Sequence, residues 1–131
     1  MNLLEKIRAS AKANNKCIVL PEGTEDRTLK AADEILSEGL ARLILLGNPQ
    51  IIQQKAKDFG LSHIHQARII DPANYPEKEA YASMLYEMRK SKGLTLEQAY
   101  TLMGDPLYLG TMLIKNKVAD GEVAGAINAT G

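Results

Sequence analysis

A single cysteine, Cys17, in 131 residues excludes an internal disulfide and fits a reducing compartment. Charge of one sign is equally lacking: sixteen Lys and Arg balance sixteen Asp and Glu. No global field therefore draws the molecule toward nucleic acid or an anionic membrane, and any anion site must be built locally. Long hydrophobic runs are missing as well. The longest, such as Leu43 to Leu46, fall far short of the roughly 20 residues of a membrane-spanning helix. Charge also interrupts the opening residues, Met1 to Arg8, where a signal peptide would be continuously apolar, so the cytoplasm is the expected compartment. Neither GxxxxGK[ST] nor GxGxxG occurs, which argues against a nucleotide-triphosphate loop or a dinucleotide fingerprint.

What is present is a soluble globular composition, 45% hydrophobic and 24% charged, in a length suited to one domain spanning residues 1–131. Leu3, Leu4, Ile7 and Ala11 share one side of a 3.6-residue period and predict an amphipathic first helix reaching about Asn14. Cys17 to Leu20 is a short apolar run of the kind buried on both faces of a parallel sheet, stopped by Pro21-Glu22-Gly23. Thr24 is placed to cap a helix with Glu25 and Asp26 in its first turn, Leu29, Ala32, Ile35 and Leu36 inward, and Gly39 at its end. The pattern recurs with a strand at Leu43–Leu46, the cap Asn48-Pro49 and a helix to Gly60, then a strand at Ala67–Ile70. A helix from about Pro76 to Gly93 should turn Tyr81, Leu85 and Met88 inward. Thr95 to Gln98 reads as a capping box, Asp105-Pro106 opens a helix to about Lys117, and Glu122 to Ile127 is the last strand.

Strands separated by helices cannot pair as hairpins, and right-handed crossovers give a doubly wound, mainly parallel α/β sheet with helices on both faces. Ligands of such sheets bind beyond the carboxyl ends of the strands. That rule selects Pro21 to Thr24, Gly47 to Pro49, Asp71-Pro72 and Asn128 to Gly131. Turn chemistry alone accounts for Gly47, Asn48, Pro49 and Asp71. For the last loop, where Gly125, Asn128, Thr130 and Gly131 crowd one strand end, turn and ligand roles both stay open. Two readings also stand for Arg89, Lys90 and Lys92: they complement a helix dipole, or they grip a phosphate, Arg89 and Lys92 sharing a face. His63 and His65, without nearby cysteines or an acidic partner, read as solvated rather than as metal ligands, and Cys17 reads as a core thiol.

Several segments, in order, resemble the N-terminal portion of the phosphate acetyltransferase and phosphate butyryltransferase family. They are Ile18 to Gly23 with Asp26-Arg27, Glu38 to Ala41 with Ile44 to Asn48, Ile70-Asp71-Pro72, Tyr86 to Gly93, Asp105 to Gly110 and Ala119 to Ala126. The resemblance implies reversible acetyl transfer between coenzyme A and inorganic phosphate, giving acetyl phosphate, with coenzyme A as substrate and no metal or tightly bound cofactor. It also implies a first domain like those of isocitrate and isopropylmalate dehydrogenases, facing a second across a cleft, usually in a homodimer. On that resemblance Arg89, with Lys92 beside it, would contact a coenzyme A phosphate. Asn128 and Thr130 would line the phosphate and acyl-phosphate pocket, and Glu22 and Gly23 would lie near the cleft. Family members are more than twice as long, and their second domain supplies serine, arginine and aspartate groups. This sequence is accordingly expected to be a truncated portion without useful transferase activity of its own. A phosphate butyryltransferase and a freestanding regulatory or ligand-binding α/β domain are the alternatives. A decarboxylating dehydrogenase is disfavoured by the lack of clustered metal-binding aspartates, and a response receiver by Pro21-Glu22-Gly23 where an acidic pocket would stand.

Overall fold

In the computed structural model, which describes residues 2–11 and 16–124, four strands form one parallel sheet in the order β3-β2-β1-β4. They are β1 (Cys17–Leu20), β2 (Arg42–Leu46), β3 (Arg68–Ile70) and β4 (Gly121–Glu122). Among the described residues six α-helices surround it: α1 (Leu3–Ser10), α2 (Asp26–Glu38), α3 (Pro49–Asp58), α4 (Lys78–Arg89), α5 (Leu96–Leu102) and α6 (Pro106–Lys115).

The strands lack polar alternation because successive side chains feed two different cores. Ile18, Leu20, Leu43 and Leu45 pack with α1, α2 and α3 through Ile7, Leu29, Ile35 and Ile52. Val19, Ile44, Leu46 and Ile70 pack with α4, α5 and α6 through Leu85, Ala99, Met103 and Leu109. Each such fully buried aliphatic side chain stabilises the fold by roughly 1.5–3 kcal/mol relative to its exposed state. Helices thus cover both faces, as the strand–helix alternation requires.

Backbone hydrogen bonds continue the sheet past its strand ends. The Gly23 N–H donates to Leu46 O and the Gly47 N–H to Ile70 O, each at 3.0 Å, which binds the carboxyl ends of β1, β2 and β3 into one ledge. A side chain at Gly23 would bring its Cβ to 2.6 Å from Leu46 O, so the close approach of two backbones requires glycine there. At the opposite edge, Asp120 Oδ2 accepts from the Cys17 N–H at 2.8 Å while the Asp120 N–H donates to Cys17 O at 2.7 Å, fixing the entry to β4. Cys17 is a buried core thiol as expected; burial pushes its pKa up, with Arg42 and Asp120 acting in opposite directions.

Five local expectations are corrected. Glu25, not Thr24, is the N-cap of α2: its carboxylate accepts from the Thr28 N–H at 2.9 Å, while the Thr24 methyl lies where a side chain at Gly47 would have to go. Met88 is exposed; α4 turns Tyr81, Ala82 and Leu85 inward, and its buried stripe is rotated away from Met88 in the last turn. Helix α4 starts at Lys78, since residues 71–77 are held in turns by Asp71 Oδ1 accepting from the Ala73 N–H and by Tyr75 donating its hydroxyl to Met103 O. His63 does have an acidic partner. Asp33 of α2 accepts its backbone N–H at 2.7 Å and lies 3.6 Å from its Nδ1, a pairing across thirty residues that local sequence cannot show. His65 is exposed. Strand β4 opens at Gly121, one residue earlier than expected, and the Val123 N–H extends its pairing to Val19 O. The rest of the expected strand, the end of the first helix near Asn14, and Asn128 and Thr130 lie outside the described residues.

Candidate functional site

The ledge at the strand ends is the floor of a groove of about 550 Å3. Pro21, Glu22 and Thr24 after β1, Gly47 and Asn48 after β2, and Asp71 and Pro72 after β3 all line it, so three of the four loops selected from sequence converge. The connection Gly104 to Leu107, which that selection missed, closes the groove's far side. Two successive helices, α4 and α5, intervene without a strand between them. Simple strand–helix alternation therefore gave no means of assigning the start of α6 to this edge. Its signal was nonetheless visible, for Asp105-Pro106 repeats the cap-and-proline pattern of Asn48-Pro49.

The groove is acidic: among the described residues Glu22, Asp71 and Asp105 line it and no Lys or Arg does. The helix N-termini beside it already have anionic or amide acceptors of their own. Asn48 Oδ1 accepts from the Gln50 and Ile51 N–H groups, Asp105 Oδ1 from Leu107, and Glu25 Oε2 from Thr28. Turn and capping roles thus account for Asn48 and Asp71. Gly23 serves the ledge. Glu22 is buried, and its backbone carbonyl accepts from the Glu25 N–H at 3.0 Å.

Cations gather elsewhere. Between α4, α5 and α6 runs a second groove with two lobes of about 190 and 260 Å3 that share Leu85, Arg89 and Tyr108. Arg89 lines both lobes and Lys92 one of them. The three basic residues are not equivalent. Lys90 Nζ lies 2.7 Å from Glu87 Oε2, and the hydrogen bond to that carboxylate holds the Lys90 pKa up. Neither Arg89 nor Lys92 has a carboxylate partner among the described residues. Lys92 lies in the short helical turn that continues α4, and the chain reverses after it at Gly93, whose φ of 88° favours glycine, so that the Leu94 N–H donates back to Arg89 O at 3.4 Å. Leu107 lines both the acidic groove and the first basic lobe, so the two cavities adjoin.

Beneath α6 lies an unusual carboxyl. Glu122 of β4 packs against Gly110, where an added Cβ would come within 2.7 Å of Glu122 Oε1. That oxygen is buried without a hydrogen-bond partner among the described residues, and burial raises the Glu122 pKa. No group of three or more His, Cys, Asp or Glu side chains able to hold a metal ion is assembled among the described residues. No described helix is long and apolar enough to cross a membrane.

A parallel α/β sheet with a strand-end groove and an adjoining cationic cleft defines an open-sheet α/β protein, and its relatives give its family. The family model for phosphate acetyl/butaryl transferase matches residues 2–131, and the chain belongs to that family of acyltransferases. It is 48% identical over 130 residues to a phosphate acetyltransferase of Thermoanaerobacterium thermosaccharolyticum, covering 99% of this chain and 39% of that protein. Against a phosphate acetyltransferase of Clostridium acetobutylicum it is 45% identical over 131 residues, covering 100% and 39%. Among solved structures, a phosphotransacetylase from Streptococcus pyogenes matches with a TM-score of 0.84 at 34% identity, and one from Staphylococcus aureus with 0.81 at 35%. Each match covers 98% of this chain and 38% of the other. The chain therefore spans about two-fifths of the length of the curated relatives it matches.

Proposed function

We propose that these residues are the coenzyme A-holding part of a phosphate acetyltransferase, one wall of a site that moves an acetyl group between coenzyme A and inorganic phosphate. The observation that carries this reading is the pair Arg89 and Lys92, which line one cleft without carboxylate partners while Lys90 is neutralised by Glu87. A guanidinium and an ammonium held three residues apart offer a planar fork and a point charge to a phosphate ester. The named relatives, at 45% and 48% identity, are acetyltransferases, which favours acetyl over butyryl as the acyl group.

In the direction that consumes acetyl phosphate, the coenzyme A thiol gives up a proton that ends on the released phosphate, and its sulfur attacks the acyl carbonyl. A C–S bond forms, the C–O bond to phosphorus breaks, and phosphate leaves with the electron pair. Fixing both substrates contributes by proximity, and donors aimed at the carbonyl oxygen stabilise the tetrahedral intermediate. Arg89 and Lys92 act on the carrier rather than on the reacting atoms. Asn128 and Thr130 are assigned the phosphate pocket, and Glu22 a place beside the thiol path. Gly23 acts through the ledge it permits. Residues 1–131 are the greater part of a first domain in this reading, a second domain supplies the opposite wall, and the whole enzyme works as a cytoplasmic homodimer.

Calorimetry of the 131-residue chain with coenzyme A tests the reading. Binding that Arg89→Ala weakens by an order of magnitude, with the fold intact, is the expected result; equal affinity in the two proteins would refute it. Residues 1–131 alone are expected not to make acetyl phosphate, because in this reading a second domain supplies the opposite wall of the cleft. A coupled assay showing formation of acetyl phosphate and free coenzyme A from acetyl-CoA and phosphate by the purified chain would overturn that expectation, and comparing acetyl with butyryl phosphate in the full enzyme tests acyl preference.

A further inference from the structure

The cationic cleft has an aromatic wall that phosphate binding does not explain. Tyr108, in the first turn of α6, lines both lobes together with Arg89 and Leu85, and is 36% exposed. The other aromatic side chains are partnered. Lys30 lies over Phe59, Lys78 over Tyr100 and Lys90 over Tyr86, and Tyr75 meets Tyr81 with ring centroids 6.2 Å apart. Among the described residues Tyr108 alone has neither a ring nor a cation against it. Its placement is fixed by the helix start, where Pro106 occupies the first position and Asp105 Oδ1 accepts from the Leu107 N–H at 2.9 Å.

An occupant of this cleft needs a flat, weakly polar body for the ring and for the apolar floor of Leu85 and Met112, and an anionic group within reach of Arg89 and Lys92. Gln98 contributes little to recognition, because its carbonyl oxygen accepts from the Thr95 N–H in the capping box. Beyond Leu107 the character changes, since Glu22, Asp71 and Asp105 repel phosphate but accept hydrogen bonds from neutral amide N–H groups. A ligand with an aromatic, phosphorylated end and a neutral end that carries amide N–H donors fits the two grooves together.

Resting on the acyltransferase reading above, we infer that Tyr108 is the stacking platform for the adenine base of coenzyme A. Arg89 and Lys92 hold its ribose phosphate, and its thiol-bearing amide arm leads past Leu107 toward the strand ends. Stacking on an exposed aromatic ring tolerates loss of the hydroxyl but not of the ring. The order of the two grooves sets the direction of the carrier.

Adenosine 3′,5′-bisphosphate and coenzyme A are the probes, titrated into the 131-residue chain by calorimetry and by amide NMR. Tyr108→Ala should weaken adenosine 3′,5′-bisphosphate about tenfold, while Tyr108→Phe should stay within about twofold of the parent. The exposed position makes both variants compatible with folding, which far-UV circular dichroism verifies. Coenzyme A, but not the bisphosphate, should shift amide signals around Asp71 and Asp105. Unchanged bisphosphate affinity in Tyr108→Ala, with weakened affinity in Arg89→Ala, would remove the stacking platform and leave the phosphate grip standing. If neither probe perturbs Arg89 or Lys92, the acyltransferase reading of the cleft falls together with the platform.

Discussion

The two grooves that meet at Leu107 are built from different material. The strand-end groove is a product of backbone: its floor is the Gly23–Leu46 and Gly47–Ile70 hydrogen bonds, and its acids and amides are largely caps and turn residues. The helix groove is a product of side chains: two cations and an unpartnered ring stand over an apolar floor, and little in them serves the fold. In open α/β sheets the helix N-termini at strand ends commonly bind anions. Here side-chain oxygens occupy N–H groups of those termini and make the edge acidic. The cations without carboxylate partners among the described residues stand instead in the cleft between a helix end, a glycine turn and the next helix, which Arg89 and Lys92 line together.

The two grooves differ most in what a substitution at the ledge does. Gly23→Ala places a methyl against the Leu46 backbone, and a loss of about 3 kcal/mol in stability, measured by urea denaturation, is the expected consequence. A change below about 0.5 kcal/mol, the scale of an ordinary surface substitution, would show that the two loops are not locked. In the helix groove the expectation is reversed. Replacing Arg89 and Lys92 together by alanine should cost coenzyme A affinity roughly a hundredfold while moving the denaturation midpoint hardly at all. Loss of stability in step with affinity would place these cations in the scaffold.

Smaller effects sharpen the contrast. Asp105→Ala removes the cap of α6 and should destabilise by about 1 kcal/mol, whereas Asp105→Asn retains most of it. Equal losses would mean that the negative charge, not the cap, is what the position needs. Glu122 supplies a pH test. Its folded-state pKa lies above the ordinary glutamate value, so between those two values the folded protein binds more protons than the unfolded chain. Stability is therefore full below the ordinary value and falls as pH rises through the raised one. Glu122→Gln should flatten that part of the stability–pH curve, and an unchanged slope would assign it to another group. At the small end, Lys90→Ala should leave coenzyme A binding where it was, because Glu87 already pairs with that ammonium at the surface. A marked loss would make the basic residues equivalent after all.

How far the fold could be read from sequence follows from how local its causes are. Asn48-Pro49, the Thr95–Gln98 capping box and Asp105-Pro106 each declare a helix start within four residues, and all three appear where expected. The doubly buried runs of β1 and β2 announce a parallel sheet for the same reason. Glu25 displaced Thr24 as a cap because Thr24 packs against Gly47, and His63 acquired Asp33 from a helix thirty residues away. Neither partner is local. The site shows the same division. Arg89 and Lys92 were candidates from their spacing, but their separation from Lys90 depends on the Glu87 contact. The role inferred for Tyr108 depends on every other aromatic side chain having found a partner.

Sequence alone determined the alternation of helices and strands, the double burial of the sheet, the caps and the family, because each is written in short-range spacing or in an ordered set of short segments. Tertiary structure alone decided that the strand ends are acidic, that two of three neighbouring cations stay without carboxylate partners, and that the start of α6 joins both grooves. Those properties are sums over residues brought together by packing, and charge and accessibility at a surface are fixed only when all the surrounding side chains have their places.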